Sequence, residues 1–144
     1  MARAFFISNA AAQAMMTALG SKIDEGTAAV LNIYSGTAPA NADAAETGTL
    51  LAQLTCSATA FSGVSDTGTA ARGTFAAITP DSSADASGTA GYFRILTQSD
   101  GTCHAQGTVG TTSDFDLVLN TIAITAGSQV SVTSAVIDLP EGPS

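Results

Sequence analysis

Tryptophan is absent from this 144-residue chain, tyrosine and cysteine occur twice each, and histidine once. Charge is scarce as well: Asp, Glu, Lys and Arg make up 11% of the residues, against about a quarter in an average domain. Each shortage removes a class of function. The basic residues Arg3, Lys22, Arg72 and Arg94 lie scattered, and with 12 acids the net charge is −8. Nucleic-acid binding draws its affinity from clustered cations that neutralise phosphates, and an anionic membrane surface repels a chain of this sign. Neither is expected as a partner. No apolar run approaches the ~20 residues that cross a bilayer. The run at residues 4–7 is cut by Ser8 and Asn9, short of the about 7–15 apolar residues of a signal-peptide core.

The chemistry-bearing residues are equally thin. One histidine and two cysteines do not readily close a zinc site. His104 follows Cys103, but adjacent residues of a strand point to opposite faces, so the two do not form a nucleophile–base pair. No Gly-x-Ser-x-Gly elbow occurs. Asp114 and Asp116 share one side of a strand and form a candidate calcium or proton-sharing pair. Calcium takes six or more oxygens, so a solvated face opposite Phe115 and Leu117 is the simpler account. Gly107-Thr108-Val109-Gly110 lacks the Gly-Lys-Ser/Thr ending of a phosphate loop. Glycan cleavage wants two carboxylates across a cleft with aromatic platforms, and only Tyr34 and Tyr92 are on offer beyond phenylalanine. The expectation is a protein that is not an enzyme, with no catalytic residues, metal or cofactor. Cys56 and Cys103 read as two small buried residues, since one bridge cannot be inferred from spacing.

What the chain does have is small residues. Ala, Gly, Ser and Thr make up roughly half of it. A surface polar through hydroxyls rather than charges is easily desolvated, because burying a charge costs far more than burying a hydroxyl that finds a partner. That favours assembly. A stable secreted β domain has the same composition.

Residues 1–8 read as an apolar arm. Ser8 or Asn9 can cap a helix, and Ala12, Met15, Met16, Leu19 and Ile23 recur at helical spacing as far as the stop at Gly26. A helix over about 9–25 follows. Beyond residue 28 the period becomes two. Strands are expected around 28–34, 50–61, 74–79, 92–98, 102–109, 115–119, 122–124 and 130–139, with Gly/Ser/Thr/Ala loops at 36–48, 62–73 and 81–91. Asp100-Gly101 predicts a hairpin with a type I′ turn. Short strands at this spacing, with no βαβ alternation, predict a mainly β fold: an antiparallel β-sandwich, a jelly roll being one form of it, with one N-terminal α-helix. The expected layout is an arm at 1–8, a single domain at 9–140 and a loose tail at 141–144.

Two stretches carry a family resemblance. Ile33-Tyr34-Ser35-Gly36-Thr37-Ala38-Pro39-Ala40-Asn41-Ala42-Asp43-Ala44-Ala45 resembles a pattern of small virion proteins of tailed bacteriophages, in which a strand carrying Ile-Tyr enters a Gly-Thr-x-Pro-Ala loop. Ser87-Gly88-Thr89-Ala90-Gly91-Tyr92-Phe93-Arg94-Ile95 is similar to the second block of that pattern. Gly107-Thr108-Val109-Gly110, Asp116-Leu117 and Ile124-Thr125-Ala126-Gly127 look like its third. The resemblance implies a structural component of the virion, assembled in the host bacterial cytoplasm. Its implied role is a capsid decoration or cement protein, forming a homo-oligomer and bound to the major capsid protein or other virion proteins. A tail or head–tail connector component is the alternative, and a carbohydrate-binding β domain the second. Phe5, Phe6, Ile7, Pro39 and Arg94 are the candidate interface residues. Each also has a plain intramolecular reading: the arm covers the end of the domain, the Pro39 loop is a passive connection, and Arg94 pairs with an acid across the sheet.

Overall fold

The helix forms where the apolar spacing places it. In the computed structural model, which describes residues 4–143, α1 runs Asn9–Ile23. The Ser8 side chain accepts from the Ala11 amide at 3.2 Å and caps its first turn. Ala12, Met16, Gly20 and Ile23 form its buried stripe. Gly20 is there for space: a Cβ would stand 2.9 Å from the Phe61 ring. Gly26, at φ +83°, takes the left-handed conformation that lets the chain leave the helix.

Among the described residues nine strands follow: β1 (Val30–Ser35), β2 (Leu50–Thr55), β3 (Phe61–Asp66), β4 (Ala70–Phe75), β5 (Gly88–Leu96), β6 (Cys103–Gly110), β7 (Leu117–Leu119), β8 (Ala123–Ile124) and β9 (Val132–Pro140). They lie in the order β2-β1-β5-β6-β7-β9-β4-β3, with β8 paired to the start of β5. The expected fold class holds at its coarser level, mainly β with one helix. Its finer form, the sandwich, is not confirmed: hydrogen bonding runs as one path through a strongly curled sheet, a half-barrel. The sheet is also mixed, because β6 and β7 pair in parallel. Six residues separate those strands, and Phe115 of the connection folds against Gly110, where no Cβ obstructs the ring.

The curl brings two flanks around one core. Leu31, Ile33, Leu51, Leu54, Phe93 and Ile95 face inward from one side, and Phe61, Ala71, Phe75 and Ala135 from the other. Helix α1 packs mainly on β3 and β4 and contributes Met16 and Ile23. Phe61 and Phe75 meet edge to face at 5.0 Å, a contact worth about 0.5–1.5 kcal/mol beyond the area it buries.

Three local expectations are corrected. The stretch 62–73, read as loop, contains most of the β3–β4 hairpin, and the strand expected at 74–79 is nearly over by Phe75. Strand β5 begins at Gly88, inside the expected loop, because Gly88 and Thr89 pair with β8. The Asp100-Gly101 hairpin is present, but only Gly101 has positive φ. A type I′ turn needs two such residues; here the Gly101 amide bonds back to the Thr97 carbonyl at 2.8 Å.

The two outer strands end differently. The outer edge of β2 is sealed by the chain between β4 and β5: Thr55 and Thr79 exchange backbone hydrogen bonds, the Gln53 amide donates to the Asp81 carboxylate at 3.0 Å, and the Asp85 amide donates to Leu51 at 2.8 Å. No strand pairs with the outer edge of β3 among the described residues.

Candidate interaction surface

Strand β1 is buried on both faces. Leu31 and Ile33 enter the core, while Asn32 and Tyr34, each 6% exposed, face the opposite way. Loop 36–48 covers that second face. Beneath it, Gln53, Asn32, Arg94 and Gln106 lie side by side in register across β2, β1, β5 and β6. Gln53 donates to Asn32 at 2.8 Å, and Asn32 donates to the Tyr34 hydroxyl. Burial pushes the Tyr34 phenol above its ordinary pKa, with the Asn32 hydrogen bond opposing. Tyr34 stacks on Tyr92 at 5.2 Å.

These side chains hold the loop from below. One guanidinium nitrogen of Arg94 donates to the carbonyls of Ala42 and Ala44, the latter at 2.7 Å, and its Nε donates to Cys103 Sγ at 3.1 Å. Glu46 stands 3.7 Å from the third nitrogen. The Tyr92 hydroxyl donates to the Thr47 carbonyl at 2.6 Å and accepts from the Thr47 amide at 2.9 Å. Gln106 donates to the Pro39 carbonyl at 2.8 Å. Within the loop, the Asn41 side chain accepts from the Asp43 and Ala44 amides. Gly91 lies so close to the Gly36 carbonyl that a Cβ there would collide with it. The result is a fixed loop whose outer side is largely exposed.

The candidate interface residues therefore separate. Arg94 is 3% exposed and does its work inside the chain, on an acid and on two backbone carbonyls. The Pro39 loop is fixed rather than a slack connection. The arm sits elsewhere, at the end of β9. The Ile7 amide donates to the Glu141 carbonyl at 2.8 Å, and the Glu141 amide donates to Thr69 at 3.0 Å. Ile7 packs against the core, whereas Phe5 and Phe6 remain 77% and 67% exposed. The Phe6 ring approaches Gly142, beside a hollow of about 520 Å³. Met1–Arg3 of the expected arm and Ser144 of the expected tail lie outside the described residues.

The candidate chemical groups lie apart. Asp114 and Asp116 do not share a strand face, since β7 starts only at Leu117. Asp116 accepts from the Thr108 amide and hydroxyl at 2.9 and 2.8 Å, and Asp114 pairs with Thr112. Cys56 and Cys103 are free thiols, and burial pushes Cys56 up to about 11. Among the described residues no cluster of His, Cys, Asp and Glu could hold a metal ion. No helix there is long and apolar enough to cross a membrane.

No protein-family model, curated protein or solved structure matches the chain.

Proposed function

We propose that the chain is a non-enzymatic structural protein of a tailed-phage particle, a capsid decoration or cement subunit that seats on the major capsid protein and stabilises the shell. The carrying observation is the exposed Phe5–Phe6 pair, projecting from an Ile7 anchor that is itself tied down. Adjacent exposed phenylalanines on a chain this poor in aromatic residues are a contact waiting for a neighbour. Loop 36–48 supports the reading. A loop pinned at several points meets a partner without first being ordered, which removes part of the entropic cost of binding. Repeated weak contacts over a lattice of shell subunits then give lasting attachment.

The open edge of β3 favours one second reading, a ring-forming tail or head–tail connector subunit. Cryo-electron microscopy of particles made by the encoding phage separates the two. Density for the chain over the joints between shell subunits is the expected result, and density at the neck or tail favours the second reading. A chain absent from purified particles overturns both. Phe5→Ser/Phe6→Ser is expected to lower its occupancy without unfolding it, since both side chains are already mostly in solvent.

A further inference from the structure

Strand β3 is built like an acceptor. It reads Phe-Ser-Gly-Val-Ser-Asp, with no lysine, no proline and no bulky side chain after Phe61. Exposed edges are ordinarily protected by such residues or by cover, and β2, at the other end of the sheet, is covered. Beside β3 runs a groove of about 490 Å³ between it and α1, with Gly20, Phe61, Gly63 and Val64 in its lining. Helix α1 and β3 run in opposite directions: the Asn9 side chain meets Asp66 at one end, and the Asp24 carboxylate accepts from the Ala60 amide at the other. Asp24 lines one end of the groove, and Asp66 closes β3 beyond the other.

We infer that this groove receives the N-terminal arm of a second copy of the chain, which adds a strand to the free edge of β3. Charge, length and anchoring identify the occupant. Residues 1–8 contain Arg3 and no acid, so they are a cationic segment in a chain of net charge −8. Residues 1–6 would reach about 20 Å when extended, the length of a strand of six residues such as β3. In its own chain the arm lies elsewhere, at the end of β9, where the Ile7 amide bonds to Glu141 and the Phe6 ring lies beside Gly142. Main-chain hydrogen bonds supply affinity in this mode of binding, and the exposed phenylalanines supply the apolar contact. The inference deepens the proposed role by naming the neighbour that the arm meets.

Size-exclusion chromatography with light scattering tests it on the full chain. The native protein is expected at twice its 14.2 kDa protomer mass or more. Phe5→Ser/Phe6→Ser and Gly63→Lys are each expected to return it to one protomer mass. A Cβ at Gly63 meets nothing within 4 Å, so the lysine leaves the fold intact and sets a cation against the cationic arm. A synthetic peptide of residues 2–8 is expected to bind the Phe5→Ser/Phe6→Ser variant, whose groove is intact, and not Gly63→Lys. A monomeric native protein, or association that survives either variant, overturns the inference. The peptide binding both proteins equally also overturns it. These outcomes are independent of whether the chain is found in a particle, so this inference and the proposed role fail separately.

Discussion

Replacing Arg94 with methionine keeps the length of the side chain and removes the fork that holds loop 36–48. The buried guanidinium bonds to the Ala42 and Ala44 carbonyls and to Cys103. Hydrogen bonds involving a charged group contribute about 1.5–3 kcal/mol each, and an orphaned buried partner costs about 1–3 kcal/mol. Two effects limit the sum. The loop can swing into water and rehydrate its carbonyls, and Glu46 is too exposed and distant for its ion pair to count for much. The net loss is about 3 kcal/mol, which lowers the urea midpoint by about 1–2 M at the usual slope for a domain of this size. Amide exchange reads the local consequence: the Thr47 amide, now bonded to Tyr92, loses protection, and thermolysin cuts within the loop. Arg94→Lys is expected to fail almost as badly, because a point charge cannot span the carbonyls and Cys103 together. A midpoint within about 0.2 M of native, with loop exchange unchanged, refutes the role of Arg94 as the peg.

Gly91→Ala drives a methyl group into the Gly36 carbonyl and is expected to cost at least about 1–3 kcal/mol, read as a lower thermal midpoint; an unchanged midpoint refutes the close approach. Arg72 and Asp138 pair across β4 and β9 at 2.7 Å, and the hydrogen bonds from Arg72 hold the Asp138 carboxyl below its ordinary value. A depressed carboxyl stabilises the fold above its unfolded pKa of about 4 and loses that contribution as pH falls through the folded value. Asp138→Asn should therefore cost no more than about 1 kcal/mol near neutrality, because the pair is partly exposed, and nothing in strong acid; urea titrations at the two pH values check the sign. Ellman's reagent at about pH 8 should titrate Cys103 in the native protein and reach Cys56 only on unfolding, since burial and a pKa pushed up to about 11 leave Cys56 almost no thiolate. Two thiols reacting at one rate would contradict the burial of Cys56.

The helix was legible because three signals coincided on one segment: a capping Ser8, apolar residues at turn spacing and a stop at Gly26. Strand β3 was not, because an edge strand packed on one side by a helix needs few apolar residues, and only Phe61 and Val64 mark it. The alternation read in β1 was real but half the story. Asn32 and Tyr34 are buried by loop 36–48, and nothing local announces a cover that arrives from residues still to come. Arg94 illustrates the limit on sites. Its main partners are backbone carbonyls 50 and 52 residues away, and a carbonyl belongs to every residue type, so no pattern of side chains reveals it. Phe5 and Phe6 were legible as outliers in a chain of small residues. The open groove that complements them was not, since it exists only once the sheet has curled.

The fastenings of loop 36–48 also impose a schedule on folding. Each side chain from outside the loop that hydrogen-bonds to it among the described residues lies downstream: Tyr92 is 45 residues beyond its loop partner, and Gln106 is 67. As the chain leaves the ribosome the loop lacks these hydrogen bonds until β5 and then β6 have emerged. Contacts so widely separated in sequence make for slow folding. A nascent chain halted before residue 92 would carry the whole loop and none of its anchors, so this conformation is among the last parts of the molecule to be born.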